Sequence, residues 1–462
     1  MEERSLITPC RVALAIAMLI YAVLLSVLSA LKHASYHSSL IDLGIFDQVI
    51  WNTAHGRLFW DTLDPYVQHY HVFLGQHFSP GLALLVPVYW IAPSVYSLLV
   101  AQTLALTLAA VPIYILAARR LGDERSALAL ALAYLCSPAL AYVNLFDFHE
   151  IAMAVPFLAW AVERLDAGRT KTALALLCLA LLWKEEVGLI VAAFGLWVLV
   201  SQRRPALGAL LVALGAGWTA AVVFWAIPHI RGGPYLFDSR YQGGLLQHGR
   251  LHLAYLTHFL SAQKLEYFGW LLLPLLGLPL LAGWPALLLA PTAAYTLLST
   301  YPDQYNIHYH YSAPLLPLLF CGTVYGLLRL SPRMRFPVAV LVLALMLLSA
   351  WLVGPLPGQR EFSPDTYRMG PRERALAALV ARVPPGVSLA VDNQMGAHLT
   401  ERVWVTHFFT GYERSQALLF DLREQSPTEA KRQRAIAAIE HDPHWHLIAR
   451  DQDYVLYVRV DP

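Results

Sequence analysis

The sequence predicts an α-helical polytopic membrane protein with about eleven transmembrane helices and a small α/β domain outside the membrane. Three observations predict it. Of the 462 residues, 57% are hydrophobic and only 14% are charged, whereas roughly a quarter of an ordinary soluble domain is charged. Apolar stretches close to spanning length recur up to Gly354, and the loops on alternate sides differ in charge. Beyond Gly354 the chain turns rich in Arg, Glu, Asp and Pro. A net charge of +2 with no basic run implies no nucleic-acid partner. The four cysteines, Cys10, Cys136, Cys178 and Cys321, lie in or beside apolar segments without metal-ligand spacing and read as small buried hydrophobes.

A spanning helix needs about 20 mostly apolar residues, and cytoplasmic loops carry the excess of Lys and Arg. The expected spans are 11–31, 95–118, 126–144, 151–163, 172–183, 187–200, 206–228, 267–282, 285–300, 312–329 and 336–354. The first could pass for a signal peptide, because Ser26 to Ala30 holds small residues near a cleavage point; with Arg4 and Arg11 inside, it reads better as a retained helix. The cytoplasmic loops then hold Arg119, Arg120, Arg125, Arg164, Arg169, Lys171, Arg203, Arg204, Arg329, Arg333 and Arg335. All 18 histidines fall on the opposite side, 13 in membrane loops and 5 in the C-terminal tail.

Those outer loops carry the chemistry. The first, 32–94, is too long to be a mere connection. It begins Asp42-Leu43-Gly44-Ile45-Phe46-Asp47-Gln48 and includes His69, His71 and His77. Leu43, Phe46, Val49, Ile50 and Thr53 recur at helical spacing up to His55-Gly56, which predicts an amphipathic helix on the outer surface. Asp42 at its start has a plain alternative role as the N-cap. Gly81 to Ala92, between Pro80 and Pro93, reads as an interfacial or re-entrant helix. The tail, 355–462, contains candidate helices at 371–383 and 427–441 and apolar strand-like runs Val387 to Val391 and Val403 to Phe408. Its last two runs, His446 to Ala449 and Tyr454 to Val460, read as a hairpin.

Ionisable groups at a membrane boundary are costly and by default suggest function. Asp147, His149 and Glu150 share a loop of a few residues, where a bare turn would use Asn, Gly and Pro. Lys184-Glu185-Glu186 can neutralise itself at a hairpin tip, or Lys184 can face a phosphate. His308 and His310 alternate with Tyr309 and Tyr311. Asp42, His149, His308 and His310 offer mixed oxygen and nitrogen ligands for a divalent cation such as Mg or Mn, although no zinc signature is present. Arg231, Arg240, Arg250 and Lys264 in the fourth outer loop suit an anion, or lipid headgroups alone.

The motifs Asp-Leu-Gly-Ile-Phe-Asp-Gln, Gln-His-Phe-Ser-Pro, Asn-Leu-Phe-Asp-Phe-His and His-Tyr-His-Tyr resemble signatures of a bacterial multi-pass membrane family of unknown function, from about residue 36 to the C-terminus. More remotely, the order of features resembles the GT-C glycosyltransferases of the protein mannosyltransferase and aminoarabinose transferase type. Asp42 stands at the aspartate and Phe46 at the aromatic of their acidic motif after the first span. Glu150, or Asp147, stands at their second acidic position and Lys184 at their lysine between later spans. Tyr311, Pro314 and Pro317 look like their helix entry. Leu43 replaces the second acid of the first motif, and His310 stands where a basic residue often precedes the tyrosine.

The resemblance implies a GT-C-like membrane domain over 1–354, an extracytoplasmic domain over 355–462, and residence in the bacterial plasma membrane. It implies transfer, with inversion, from a polyprenyl-phosphate sugar donor to an acceptor glycan, lipid or protein on the outer face. Asp42 would be the general base with Asp47 in support. Lys184, Arg231 and Arg240 would meet the donor phosphate. Asp147, His149, Glu150, His308 and His310 would position the acceptor or a metal ion. A transporter of a lipid-linked or polar substrate is the rival; it would place its charges near the bilayer midplane and often shows inverted repeats, neither of which this sequence displays. A non-catalytic envelope assembly protein is a third reading.

Overall fold

A computed structural model describes residues 8–63, 71–201, 204–241, 246–247, 250–251, 259–424 and 429–460. Arg4, His69 and Arg203 lie outside the described residues. Helix α1, Pro9–Ala34, starts where the Thr8 side chain accepts a hydrogen bond from the Arg11 amide, with proline in its first turn. Its 26 residues span about 39 Å at 1.5 Å each. Val12, Ile16, Leu19, Ile20 and Val23 stay exposed on it, an apolar face suited to lipid.

Each of the eleven expected spans coincides with helical chain. Among the described residues, however, only Pro9–Ala34, Val95–Leu121, Pro205–Arg231 and Pro332–Val353 are long and apolar enough to cross a membrane. Glu124–Leu135 and Pro138–Leu145, bent by 44°, make a fifth if taken together. The expectation of eleven is not met on length and composition. Prolines and short tight turns cut the other segments into pieces such as Thr170–Leu181, Val187–Ser201 and Leu315–Leu327. Helices Val187–Ser201 and Pro205–Ala221 nevertheless pack backbone to backbone: a Cβ at Gly195 would meet the Val212 amide nitrogen at 2.5 Å, and one at Gly188 the Gly215 carbonyl at 2.5 Å.

The C-terminal segment forms a five-stranded sheet in the order Val405–His407, Leu389–Val391, Ala417–Asp421, Tyr454–Arg459, Trp445–Asp451. The first three strands are parallel and the last two antiparallel. The expected hairpin and the helices Pro371–Val380 and Glu429–His441 are present; positions 427 and 428 of the second expected helix lie outside the described residues. The central strand Ala417–Asp421 was not expected. This segment covers the first outer loop: the Thr62 hydroxyl donates to the Val405 carbonyl at 2.6 Å, Gln48 Nε2 donates to the Arg402 carbonyl at 3.4 Å, and His398 stacks on His33 at 4.0 Å. Helix Ile45–Ala54 does end at His55 and Gly56, as expected. It does not lie exposed on the outer surface, because the C-terminal segment covers its polar side and buries Asp47, Gln48 and Asn52 with the apolar residues.

Candidate active site

The first acidic motif does not open as a regular helix. Leu40–Gly44 form one wide π turn, and the α-helix begins only at Ile45. Such turns often mark functional sites. Ser39 holds the N-cap position, so Asp42 is not the cap. Its carboxylate instead lies 3.5 Å from His149 Nε2 and stays 29% exposed. Burial pushes the Asp42 carboxyl up, but the contact with His149, the Ser39 hydroxyl and the Lys32 charge outweigh it and hold the group below the ordinary aspartate value. Asp42 is therefore an ionised, accessible carboxylate at neutral pH.

His149 stacks on His310 with ring centroids 3.6 Å apart. Burial and the neighbouring cations hold His310 well below the usual histidine range, so it is neutral, and among the described residues its buried Nδ1 has no hydrogen-bond partner. His310 leads to Tyr311, whose hydroxyl burial pushes up, with the charges of Arg240 and Lys184 opposing the rise and those of Asp42 and Glu186 adding to it. The Arg240 guanidinium lies over the rings of Phe237, Tyr301 and Tyr311 at 4.3, 4.5 and 5.6 Å, and among the described residues no carboxylate pairs with it. Lys184 Nζ is 3.2 Å from Glu150 Oε1, and both side chains are buried. Burial pulls the Lys184 ammonium down, but Glu150, Glu186 and Glu185 together raise it above its ordinary value, so it is charged.

The hairpin tip does not neutralise itself locally. Glu185 turns to His77 Nδ1 at 2.9 Å and accepts from the Tyr235 hydroxyl at 2.8 Å and the Phe78 amide at 3.1 Å. Burial raises its carboxyl, yet His77 and Lys184 bring it down to about 2. The tip is pinned by the Gly81 amide, which donates to the Leu182 carbonyl at 2.7 Å; a Cβ at Gly81 would sit 2.9 Å from that oxygen.

Asp42, His149, Glu150, Lys184, Arg240 and His310 thus converge from five loops, whereas four other candidates point elsewhere. Asp147, at φ +138°, is held by Lys32 Nζ at 2.8 Å and the Ser39 amide at 2.9 Å, so it braces the two loops against each other. His308 bonds Asn306 at 2.6 Å and Glu361 at 3.0 Å. Arg231 ends helix Ile227–Arg231 and, among the described residues, makes none of the cluster's contacts. Asp47 is buried against the C-terminal segment, accepting from the Tyr89 hydroxyl at 2.8 Å and the Thr400 hydroxyl at 2.5 Å. The metal set Asp42, His149, His308 and His310 fails geometrically, because His308 is turned to Glu361 on the linker. Among the described residues, the one trio of ligand atoms within 4.8 Å is Asp392, His407 and Glu424. There Arg432 already bonds both oxygens of Asp392, at 2.8 and 2.6 Å.

Gln102 was not foreseen. Fully buried in helix Val95–Leu108, it donates to the Asp147 carbonyl at 2.8 Å and accepts from the His149 amide at 2.8 Å, which sets the loop carrying His149 and Glu150. Its signal is a lone amide within an apolar segment.

Burial pushes Asp47 up to about 7, against the lesser pull of Thr400 and Tyr89, and the facing Glu401 adds to the rise. An unfolded aspartate titrates near ~4, so the advantage of the protonated form is complete below that pH and lost as pH rises through about 7. Asp47→Asn keeps the shape and removes the charge. The melting temperature of the variant relative to the parent should therefore climb between about pH 4 and pH 7 and level off above; a difference independent of pH would show that Asp47 does not titrate here.

Residues 32–456 match the family described as predicted membrane protein (DUF2079). No curated protein matches the chain. Its fold is similar to the crystal structure of ArnT from Cupriavidus metallidurans bound to undecaprenyl phosphate, with TM-score 0.62 and 13% identity over 96% of this chain and 98% of that one. The apo state of the same protein gives TM-score 0.56 and 12% identity over 97% and 98%. Identities this low speak for the fold alone. The chain belongs to the DUF2079 family of predicted membrane proteins, and its fold is similar to that of ArnT.

Proposed function

We propose that the protein is a membrane glycosyltransferase that takes a sugar from a polyprenyl-phosphate donor and passes it, with inversion, to an acceptor on the extracytoplasmic face of the plasma membrane. The reading places the catalytic membrane domain at 1–354 and the extracytoplasmic domain at 355–462. One observation carries it: an ionised, part-exposed Asp42 lies 3.5 Å from His149, which stacks on His310, and the next residue, Tyr311, has the Arg240 guanidinium 5.6 Å over its ring. The chain of contacts brings a base and a cation to one cluster, and Lys184 joins it through Glu150, the neighbour of His149. Asp42 takes the proton from the acceptor hydroxyl as its oxygen forms the new bond to the anomeric carbon. The bond from that carbon to the phosphate oxygen breaks, and the polyprenyl phosphate leaves with the electron pair. Lys184 and Arg240 stabilise the charge that develops on the phosphate. The short apolar helices Pro80–Leu85 and Val86–Ile91, with Leu84, Val88, Trp90 and Ile91 exposed, give the lipid chain an apolar track beside Gly81.

Support also comes from the neighbouring ArnT structure, which was crystallised bound to undecaprenyl phosphate. The test is mass spectrometry of lipids that co-purify with the full chain. A polyprenyl phosphate in the parent, depleted in Arg240→Ala, is the expected result. Purification free of any polyprenyl phosphate, with added undecaprenyl phosphate failing to bind, would sink the reading.

A further inference from the structure

Two cavities of about 240 and 430 Å³ adjoin each other, with Asn306, His308 and Glu361 as a common wall. The smaller is lined by Trp270, Tyr267 and Tyr305 together with Gln263 and Glu266. The larger adds Tyr142, Tyr309 and Tyr367. Flat rings alternating with carboxylates and amides match a polyol ring, whose C–H faces pack on aromatics while its hydroxyls bond the polar groups.

The charges narrow the ligand further. Lys32 is the one lysine or arginine lining either cavity, and its ammonium is already bound to Asp147 at 2.8 Å. The carboxylates Glu266 and Glu361 face the space, and among the described residues that line it no free cation stands beside them, which disfavours phosphate, sulfate or uronic acid groups. The Tyr142 hydroxyl and His308 both bond Glu361 Oε2, which fixes the side chain; among the described residues Oε1 has no bonded partner. Such a preset acceptor is what a sugar hydroxyl needs.

The larger cavity also reaches the cluster. Phe146 and Tyr309 line it, and the Phe146 ring lies 5.3 Å from His149 and 5.6 Å from His310, the neighbours of Asp42. We propose that this double cleft is the acceptor site, and that it binds an oligosaccharide that is neutral or amino-bearing, with its reacting hydroxyl delivered past Phe146 to Asp42. The proposal rests on the transferase reading. It explains why His308, which the catalytic cluster leaves out, is locked to Asn306 and Glu361.

The test uses the full chain in lipid nanodiscs and saturation-transfer NMR with a panel of soluble neutral, amino and uronic di-, tri- and tetrasaccharides. At least one neutral or amino oligosaccharide should bind, about tenfold more weakly in Glu361→Gln and in Trp270→Ala, with Trp270→Phe close to the parent. Co-purified polyprenyl phosphate should be unchanged in all three variants, which also reports that they fold. Binding of no panel member, binding of uronic members alone, or binding indifferent to Glu361 and Trp270 would overturn the proposal. If the glycan binds as expected while no polyprenyl phosphate is held, the cleft stands and the transferase reading falls.

Discussion

Asp42→Asn should lower glycosyl transfer by about 100- to 10,000-fold while leaving donor lipid bound and the fold intact. The substitution is nearly isosteric. It removes a carboxylate that is ionised at neutral pH, still 29% exposed, and 3.5 Å from His149. An amide cannot accept the acceptor's proton, so the loss falls on the chemical step rather than on binding. Asp42→Glu should retain more activity than Asn, because it keeps the base and only misplaces it. The other outer acids behave differently. Asp147→Asn weakens the pairing with Lys32 and so should lower the melting temperature. Asp47→Asn alters the contact with the C-terminal segment. Transfer measured from a polyprenyl-phosphate sugar in nanodiscs separates these cases. Near-parental turnover in Asp42→Asn would exclude the mechanism, and equal loss in all three would show that the assay reads folding.

Why the sequence disclosed some of these roles and hid others is a matter of which contacts are local. Asp42, Glu150 and Lys184 could be selected because charge at a membrane boundary is costly wherever the chain places it. The direction of a loop side chain is decided by partners far along the chain. Asp147 is turned by Lys32, His308 by Glu361, and Asp47 by Thr400. No spacing within a loop encodes those pairings. The π turn at Leu40–Gly44 adds a residue to the helical period, so the spacing of Asp42 and Asp47 does not fix their relative direction, and the structure puts them in different sites. Strand Ala417–Asp421 escaped because Ala-Leu-Leu-Phe contains no β-branched residue; its partners on both sides make it a strand. The count of eleven spans goes beyond the four or five that length and composition support, for a related reason. Hydropathy measures how apolar a segment is, and cannot see where prolines and tight turns break it.

Lys184→Met should destabilise the protein by about 3–5 kcal/mol, because it leaves the Glu150 carboxylate buried without its cation. Glu150→Gln should cost less, since Lys184 keeps Glu185 and Glu186 nearby. Loss of stability alone would not distinguish a phosphate ligand from a structural lysine. The geometry supplies the distinction. Among the described residues the Lys184 ammonium contacts one carboxylate oxygen, at 3.2 Å, and an ammonium has three donors; Glu150 Oε2 likewise has no hydrogen-bond partner. This is a pair with unspent hydrogen-bonding capacity. The double variant Lys184→Met with Glu150→Gln removes both charges and should recover about 1–3 kcal/mol relative to the sum of the single effects. It should not recover the polyprenyl phosphate, because the charge that would meet the phosphate is gone. Thermal unfolding and lipid mass spectrometry on the same preparations give both readouts. If lipid returns together with stability, Lys184 serves the fold and Arg240 alone meets the phosphate.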